Sequence, residues 1–170
     1  MKSLDIKYRH DSMRGWFAYE LYKHMAKDGR IYLVTGDLGY GMLDYIKRDF
    51  PKRFINVGAA EQSMMGIGVG LSLEGKIPVI YSITTFLLYR PFETIRNYAD
   101  HEKIPVKLIG SGRDKDYTHD GISHWALEDK EILKILPNIE ARWPGDKAEI
   151  PSIVSKMFKS KEPWYINLKR

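Results

Sequence analysis

Short apolar runs alternate with helix-length segments along this chain, and that alternation restricts the fold more than any other feature. "IYLVT" (31–35), "FINV" (54–57), "PVIYSI" (78–83), "VKLIG" (106–110), "IEARW" (139–143) and "PWYINL" (163–168) read as six strands. They are rich in β-branched and aromatic residues and are bounded by turn-forming ones. Between them lie "MRGWFAYELYKHMAK", "MLDYIKRDF", the glycine-rich run after Glu61, "RPFETIRNYADHE", "ALEDKEILKIL" and "KAEIPSIVSKMF". These carry apolar residues at helical spacing, and Asp11-Ser12 supplies a start signal for the first of them. Strands alternating with helices predict an α/β fold: a doubly wound, mainly parallel sheet of about six strands with helices on both faces. At 170 residues the chain is expected to form one domain over 1–170.

Composition removes several classes of function. The chain has no cysteine, which excludes disulfides, thiolate metal sites and thiol nucleophiles. Its 27 basic and 22 acidic residues leave a net charge of +5, but the lysines are dispersed among acids. No basic run or aromatic-interleaved patch marks a nucleic-acid surface. No window approaches 18 uncharged apolar residues, so no membrane span is expected. The first residues, "MKSLDIKYRHDSMRG", lack the apolar core of a signal peptide, which makes the cytoplasm the expected compartment.

In doubly wound sheets, function gathers in the loops beyond the carboxyl ends of the strands. Here those loops hold 36–41, 58–61, 82–86 and 110–124. "GDLGYG" is neither GxGxxG nor a phosphate loop with GK[ST]. Gly66 and Gly70 lie four apart in a helical run, so they share a face on which another backbone can approach closely. Glu61 is a lone carboxylate between alanines and a Met-Met pair. "HDGISH" brings His119, Asp120 and His124 into a polar loop, where a histidine suits proton transfer or anion contact. The same His124 also fits a plainer place at a helix start, with Ser123 as its N-cap. Phe86, Tyr89 and Phe92 are spaced by three, which fits a core stripe as well as the wall of a flat heterocycle. No compact set of three metal ligands is evident.

Three stretches in order, "RFINVGAAEQSMMGIGVGLSLEGKIPV", "TTFLLYRPFETIRN" and "DGISHWALEDKEILKILPNIEARWPGD", resemble the pyrimidine-binding domain of transketolase and deoxyxylulose-phosphate synthase. These are thiamine-diphosphate enzymes, and the resemblance runs from about Arg14 to the last strand. It implies that Glu61 hydrogen-bonds N1′ of the cofactor's pyrimidine and favours the imino tautomer, whose 4′-nitrogen removes the thiazolium proton. A carboxyl group in that role is expected to be buried, to share a proton and to titrate above its usual range. Phe86 corresponds to the aromatic that stacks on the pyrimidine, with Tyr89 and Phe92 as the further wall. His124 corresponds to the histidine of a D-G-x-T-H motif that contacts sugar substrates, and Asp120 shapes the same channel. Arg14 and Arg170 resemble arginines that reach substrate phosphate, and Asp37 resembles an aspartate near the cofactor.

The chain also departs from that pattern. The family's G-D-G…N motif, which holds magnesium and diphosphate, has no counterpart here: "GDLG" follows the wrong helix and lacks the asparagine. A C-terminal domain carried by relatives is also absent from this sequence. The expectation is therefore a pyrimidine-binding subunit of a split transketolase-like enzyme. A separate subunit would hold diphosphate and Mg2+ in an α2β2 heterotetramer, with Gly66 and Gly70 packing across the interface. The expected reaction moves a two-carbon ketol unit between sugars or sugar phosphates. Alternatives are a subunit of a 2-oxo-acid decarboxylase or dehydrogenase, a deoxyxylulose-phosphate synthase-like enzyme, and a non-catalytic scaffold that keeps the fold.

Overall fold

All six expected strands pair in one parallel sheet, in the order β2-β1-β3-β4-β6-β5, in a computed structural model that describes residues 10–170. The first nine residues, and with them most of the stretch read for a signal peptide, lie outside the described residues. The strands are β1 (Ile31–Thr35), β2 (Phe54–Asn56), β3 (Ile77–Ile83), β4 (Lys107–Ser111), β5 (Glu140–Arg142) and β6 (Trp164–Leu168). Every pairing is parallel, with Val34 opposite Ile80, Ile80 opposite Leu108, and Leu108 opposite Tyr165.

The helices are α1 (Met13–Lys27), α2 (Asp44–Asp49), α3 (Glu61–Leu73), α4 (Thr84–Tyr89), α5 (Phe92–Thr94), α6 (Asp129–Lys134) and α7 (Ile150–Lys159). Strand residues alternate between two cores, one on each face of the sheet. Leu33, Tyr81, Trp164 and Ile166 face α1, α2 and α7, where Phe17, Leu21, Ile46 and Val154 are buried. Val34, Ile80, Leu108 and Tyr165 face the other way, onto Met64 and Met65 of α3, Leu88 of α4 and Leu133 of α6. With both faces covered, β3 and β4 are buried almost throughout, including Ser82, Lys107 and Ser111. Among the described residues no helix is long and apolar enough to cross a membrane.

Three local readings change. Helix α1 starts as expected, with the Ser12 side chain accepting from the Gly15 N–H. The segment "TTFLLY", however, turns directly from β3 into α4 rather than into a loop, and the expected helix 90–102 becomes α5 followed by a π-helical turn, Ile95–His101. The helix expected over 126–136 is confined to Asp129–Lys134, and Ser123 does not cap it. The glycine reading shifts as well. Among the glycines of α3 the close approach is at Gly68, where an added Cβ would lie 2.3 Å from Ile80 Cδ1. Gly66 and Gly70 have nothing within 4 Å of an added Cβ, and they sit on an exposed face with Ile67 and Leu73.

Candidate functional site

Helix α3 begins at Glu61, immediately after the β2 turn, and this places a carboxylate at the carboxyl end of the sheet. Glu61 is 4% exposed, so its burial is as expected. It is not isolated among apolar groups, however. Arg90, just past the end of α4, donates from Nη1 to both carboxylate oxygens at 2.8 Å. The same guanidinium lies with Cζ 3.7 Å from the centroid of the Phe86 ring, one helical turn back along α4.

Phe86 owes its position to the direct passage from β3 into α4. Thr84 and Thr85, the first residues of α4, are buried and tied to the neighbouring loops: Thr84 donates to the Gly112 carbonyl at 2.7 Å and Thr85 to the Ser123 carbonyl at 2.6 Å. The second bond anchors the "DGISH" loop against α4. His124 therefore meets the Phe86 ring edge-on, 4.8 Å between centroids, with its Nδ1 2.9 Å from Ser123 Oγ. Gly121 turns that loop at φ 77, ψ −167, a conformation essentially closed to residues with a side chain.

From His124 the contacts continue to Tyr117 at 5.7 Å, and from Tyr117 to the Arg170 guanidinium at 4.8 Å. Arg14, Tyr40, Tyr45, Tyr81, Tyr117 and Arg170 help line a cavity of about 490 Å3. Among the described residues, Arg14 Nε and the Tyr45 hydroxyl are buried there without a hydrogen-bond partner, and Tyr81 lies beside Arg14 and Ser111. Orphaned buried polar atoms are uncommon in folded proteins and call for a water, an ion or a polar ligand beside them. Burial raises the Tyr45 and Tyr81 phenols, which keeps both as neutral donors.

The structure thus joins Glu61, Phe86, His124 and Arg170 in one track along the strand ends, with Arg14 in the cavity at its far side. The remaining expected site residues stand apart. Tyr89 is partly exposed and donates to Glu128 at 2.8 Å; burial and that carboxylate push its phenol up. Phe92 packs against the core around α3. Asp37 lies in its own turn at φ 54, where the Tyr40 hydroxyl and the Asn56 amide hold its carboxyl below the usual range. Asp120 is exposed, in the turn before Gly121.

Several residues of the site belong to no motif that sequence reasoning singles out. Arg90 is one, although its i,i+4 spacing from Phe86 is an available signal. Tyr117 is another. Beneath them lies a buried network: Asp129 accepts from Trp143 Nε1 at 2.7 Å, Tyr165 at 2.9 Å and Asn167 at 2.9 Å. Arg113 bonds Asn167 Oδ1 and the carbonyls of Asn167 and Pro144. Asn167 also donates to Thr84 Oγ1 at 3.2 Å, so the network reaches the first turn of α4. Among the described residues, no group of three His, Cys, Asp or Glu side chains is placed to hold a metal ion.

Comparison with known proteins agrees with this architecture. Residues 11–170 match the family described as transketolase, pyrimidine binding domain. The chain is 28% identical over 167 residues to a 6-deoxy-6-sulfo-D-fructose transketolase subunit of Clostridium sp. (strain MSTE9), covering 98% of this chain and 52% of that protein. It is 31% identical over 121 residues to an apulose-4-phosphate transketolase subunit of Actinobacillus succinogenes, covering 71% and 39%. A solved structure described as a split gene transketolase, inactive beta4 tetramer, superposes with a TM-score of 0.82 at 32% identity, covering 94% of this chain and 51% of that one. The chain therefore belongs to the transketolase pyrimidine-binding domain family. It spans about half the length of these relatives or less.

Proposed function

We propose that this chain is the pyrimidine-binding subunit of a split, thiamine-diphosphate-dependent transketolase that moves a two-carbon ketol unit between sugar substrates. The single observation that carries the reading is the pair formed by Glu61 and Phe86: a buried carboxylate and an aromatic face that together hold one flat, N–H-donating group. In this structure the group is the Arg90 guanidinium, whose flat shape occupies the place proposed for a planar heterocycle. Thiamine diphosphate, when bound, supplies the electron sink for breaking and making the carbon–carbon bond. Glu61 would hold the proton at the pyrimidine edge, and Phe86 would fix the ring plane. His124, against Phe86, is placed to hold or pass a proton at a substrate hydroxyl.

Arg14 and Arg170 would take the charged end of the substrate, since a guanidinium fork matches a phosphate or sulfonate. The substrates named for the two subunit relatives, a sulfosugar and a sugar phosphate, carry such groups. Diphosphate and Mg2+ would be held by a separate subunit. The exposed α3 face with Gly66, Ile67, Gly70 and Leu73 is the natural surface for that subunit in an α2β2 assembly. Asp37, Tyr89, Phe92 and Asp120 are assigned to the rim of the cofactor and substrate sites, and 1–170 is read as one pyrimidine-binding domain.

The test is reconstitution. The chain is mixed with a candidate diphosphate-binding subunit, thiamine diphosphate, Mg2+, a ketose phosphate and a series of aldehydes, and the ketose products are identified. Ketol transfer only in the presence of both subunits is the expected result. Transfer by this chain alone, or release of CO2 from a 2-oxo acid without transfer, overturns the reading.

A further inference from the structure

The contacts of Arg90 lead beyond the assignment of Glu61 and Phe86, and the role inferred for this arginine rests on that assignment. Arg90 lies between the last turn of α4 and Pro91, which fixes the root of its side chain close to Phe86. Its guanidinium covers the Phe86 ring at 3.7 Å and donates to Glu61 at 2.8 Å. One planar, delocalised cation therefore occupies both contacts that an aminopyrimidine would use, a face on the aromatic ring and a ring nitrogen that shares a proton with the buried carboxylate. Among the described residues the Glu61 oxygens are its only hydrogen-bond partners.

We propose that Arg90 is a displaceable plug that competes with the cofactor's pyrimidine for Phe86 and Glu61. The two partners of the ion pair differ in freedom: the Glu61 side chain is 4% exposed and the Arg90 side chain 47%. The carboxylate is fixed, whereas the guanidinium already borders solvent and can rotate outward on a long, flexible stem. Because an uncompensated carboxylate is strongly disfavoured in a buried site, the arginine leaves readily only when another donor replaces it. Stacking alone is then insufficient for entry. A ring without a basic nitrogen to share a proton with Glu61 cannot discharge the carboxylate, so Arg90 makes the site selective for flat heterocycles that both stack and bind a proton. The apparent affinity is lowered by the fraction of molecules in which the plug is seated.

The experiment titrates thiamine diphosphate, with Mg2+, into the assembled two-subunit enzyme, and follows heat and association rate for the wild type and for Arg90→Met, Arg90→Lys, Glu61→Ala and Phe86→Ala. Arg90→Met is expected to tighten binding roughly three- to thirty-fold and to speed association. That span corresponds to the loss of one cation–π contact and one half-exposed ion pair. Arg90→Lys, which keeps the charge but not the planar fork, is expected to fall between. Unchanged or weakened binding in Arg90→Met, with binding still lost in Glu61→Ala and Phe86→Ala, overturns the plug while leaving the pyrimidine seat intact. Unchanged binding in Glu61→Ala and Phe86→Ala overturns the seat itself, and the plug with it. Should Arg90→Met fail to fold because Glu61 is left unpaired, Glu61→Gln with and without Arg90→Met gives the same comparison. Tighter binding in the double variant than in Glu61→Gln supports displacement, and equal binding overturns it.

Discussion

Two buried carboxylates lie on the same side of the sheet and are treated in opposite ways. Asp129, 3% exposed, is held by three neutral donors from Trp143, Tyr165 and Asn167, none of which can leave without unpacking the core. Glu61, 4% exposed, is held by one cation whose side chain is half in water. The first arrangement saturates the acceptor with short, fixed dipoles and makes it part of the scaffold. The second keeps a strong acceptor available to whatever can replace a single mobile partner. Equal burial thus conceals unequal exchangeability, and exchangeability separates a binding group from a structural one.

The comparison breaks most sharply on activity. In the reconstituted enzyme, Glu61→Gln is expected to lower ketol transfer by roughly 10²–10⁴-fold, the usual span for losing a positioned proton-transfer group. Its thermal midpoint should stay near that of the wild type, and a full rate would place Glu61 with Asp129 as scaffold. Asp129→Ala should show the reverse, with the Trp143 and Tyr165 donors left without their acceptor and a loss of roughly 2 kcal/mol or more in urea unfolding. By contrast, Glu61→Ala should remain within about 1 kcal/mol, because the freed Arg90 is solvated. Tyr165→Phe sharpens the first half of the pair. It removes one of Asp129's three donors and should reduce stability by about 1 kcal/mol, with Trp143 and Asn167 still in place.

A pH-dependent effect concerns a buried cation at the other end of the sheet. Lys107 is 1% exposed and donates to the carbonyls of Ser160 and Glu162, and desolvation lowers its pKa to about 8. The folded chain therefore releases this proton before the unfolded chain does. Between about pH 8 and 10 the unfolded state binds more protons, so this residue makes stability rise with pH by up to about 1.4 kcal/mol per unit. Above about pH 10 the trend reverses, because phenols such as Tyr45 and Tyr165 are raised in the folded state and keep protons that the unfolded chain loses. Urea titrations across this range should show the rise, and Lys107→Met should abolish it.

Much of this is legible in the sequence. The four central strands carry their own signal because they are buried on both faces, and Asp11-Ser12 announces the start of α1. Glu61 and Phe86 stand out in the sequence because each lies a few residues past a strand end, and His124 because it closes the "DGISH" run. Helix α4 escapes sequence reading because "TTFLLY" has β-branched and aromatic residues that prolong a strand pattern, and only packing against β4 makes it turn. The Asp129 network is hidden for a different reason. Its members are 14, 36 and 38 residues apart and meet only when the sheet is assembled. Arg90 reads as an ordinary helix-end cation until Glu61, 29 residues earlier, is placed beside it.

The strand order also has a consequence for how the chain reaches this state. β6 follows β5 in the chain but inserts between β4 and β5, and β5 pairs with no other strand. During synthesis, and in refolding, β5 and the polar groups of Trp143 and Asp129 must wait for a segment that the chain supplies only after α7. Until it arrives, the edge of β4 stands open as a template for other chains. The insertion of β6 closes that edge and completes the network that supports α4.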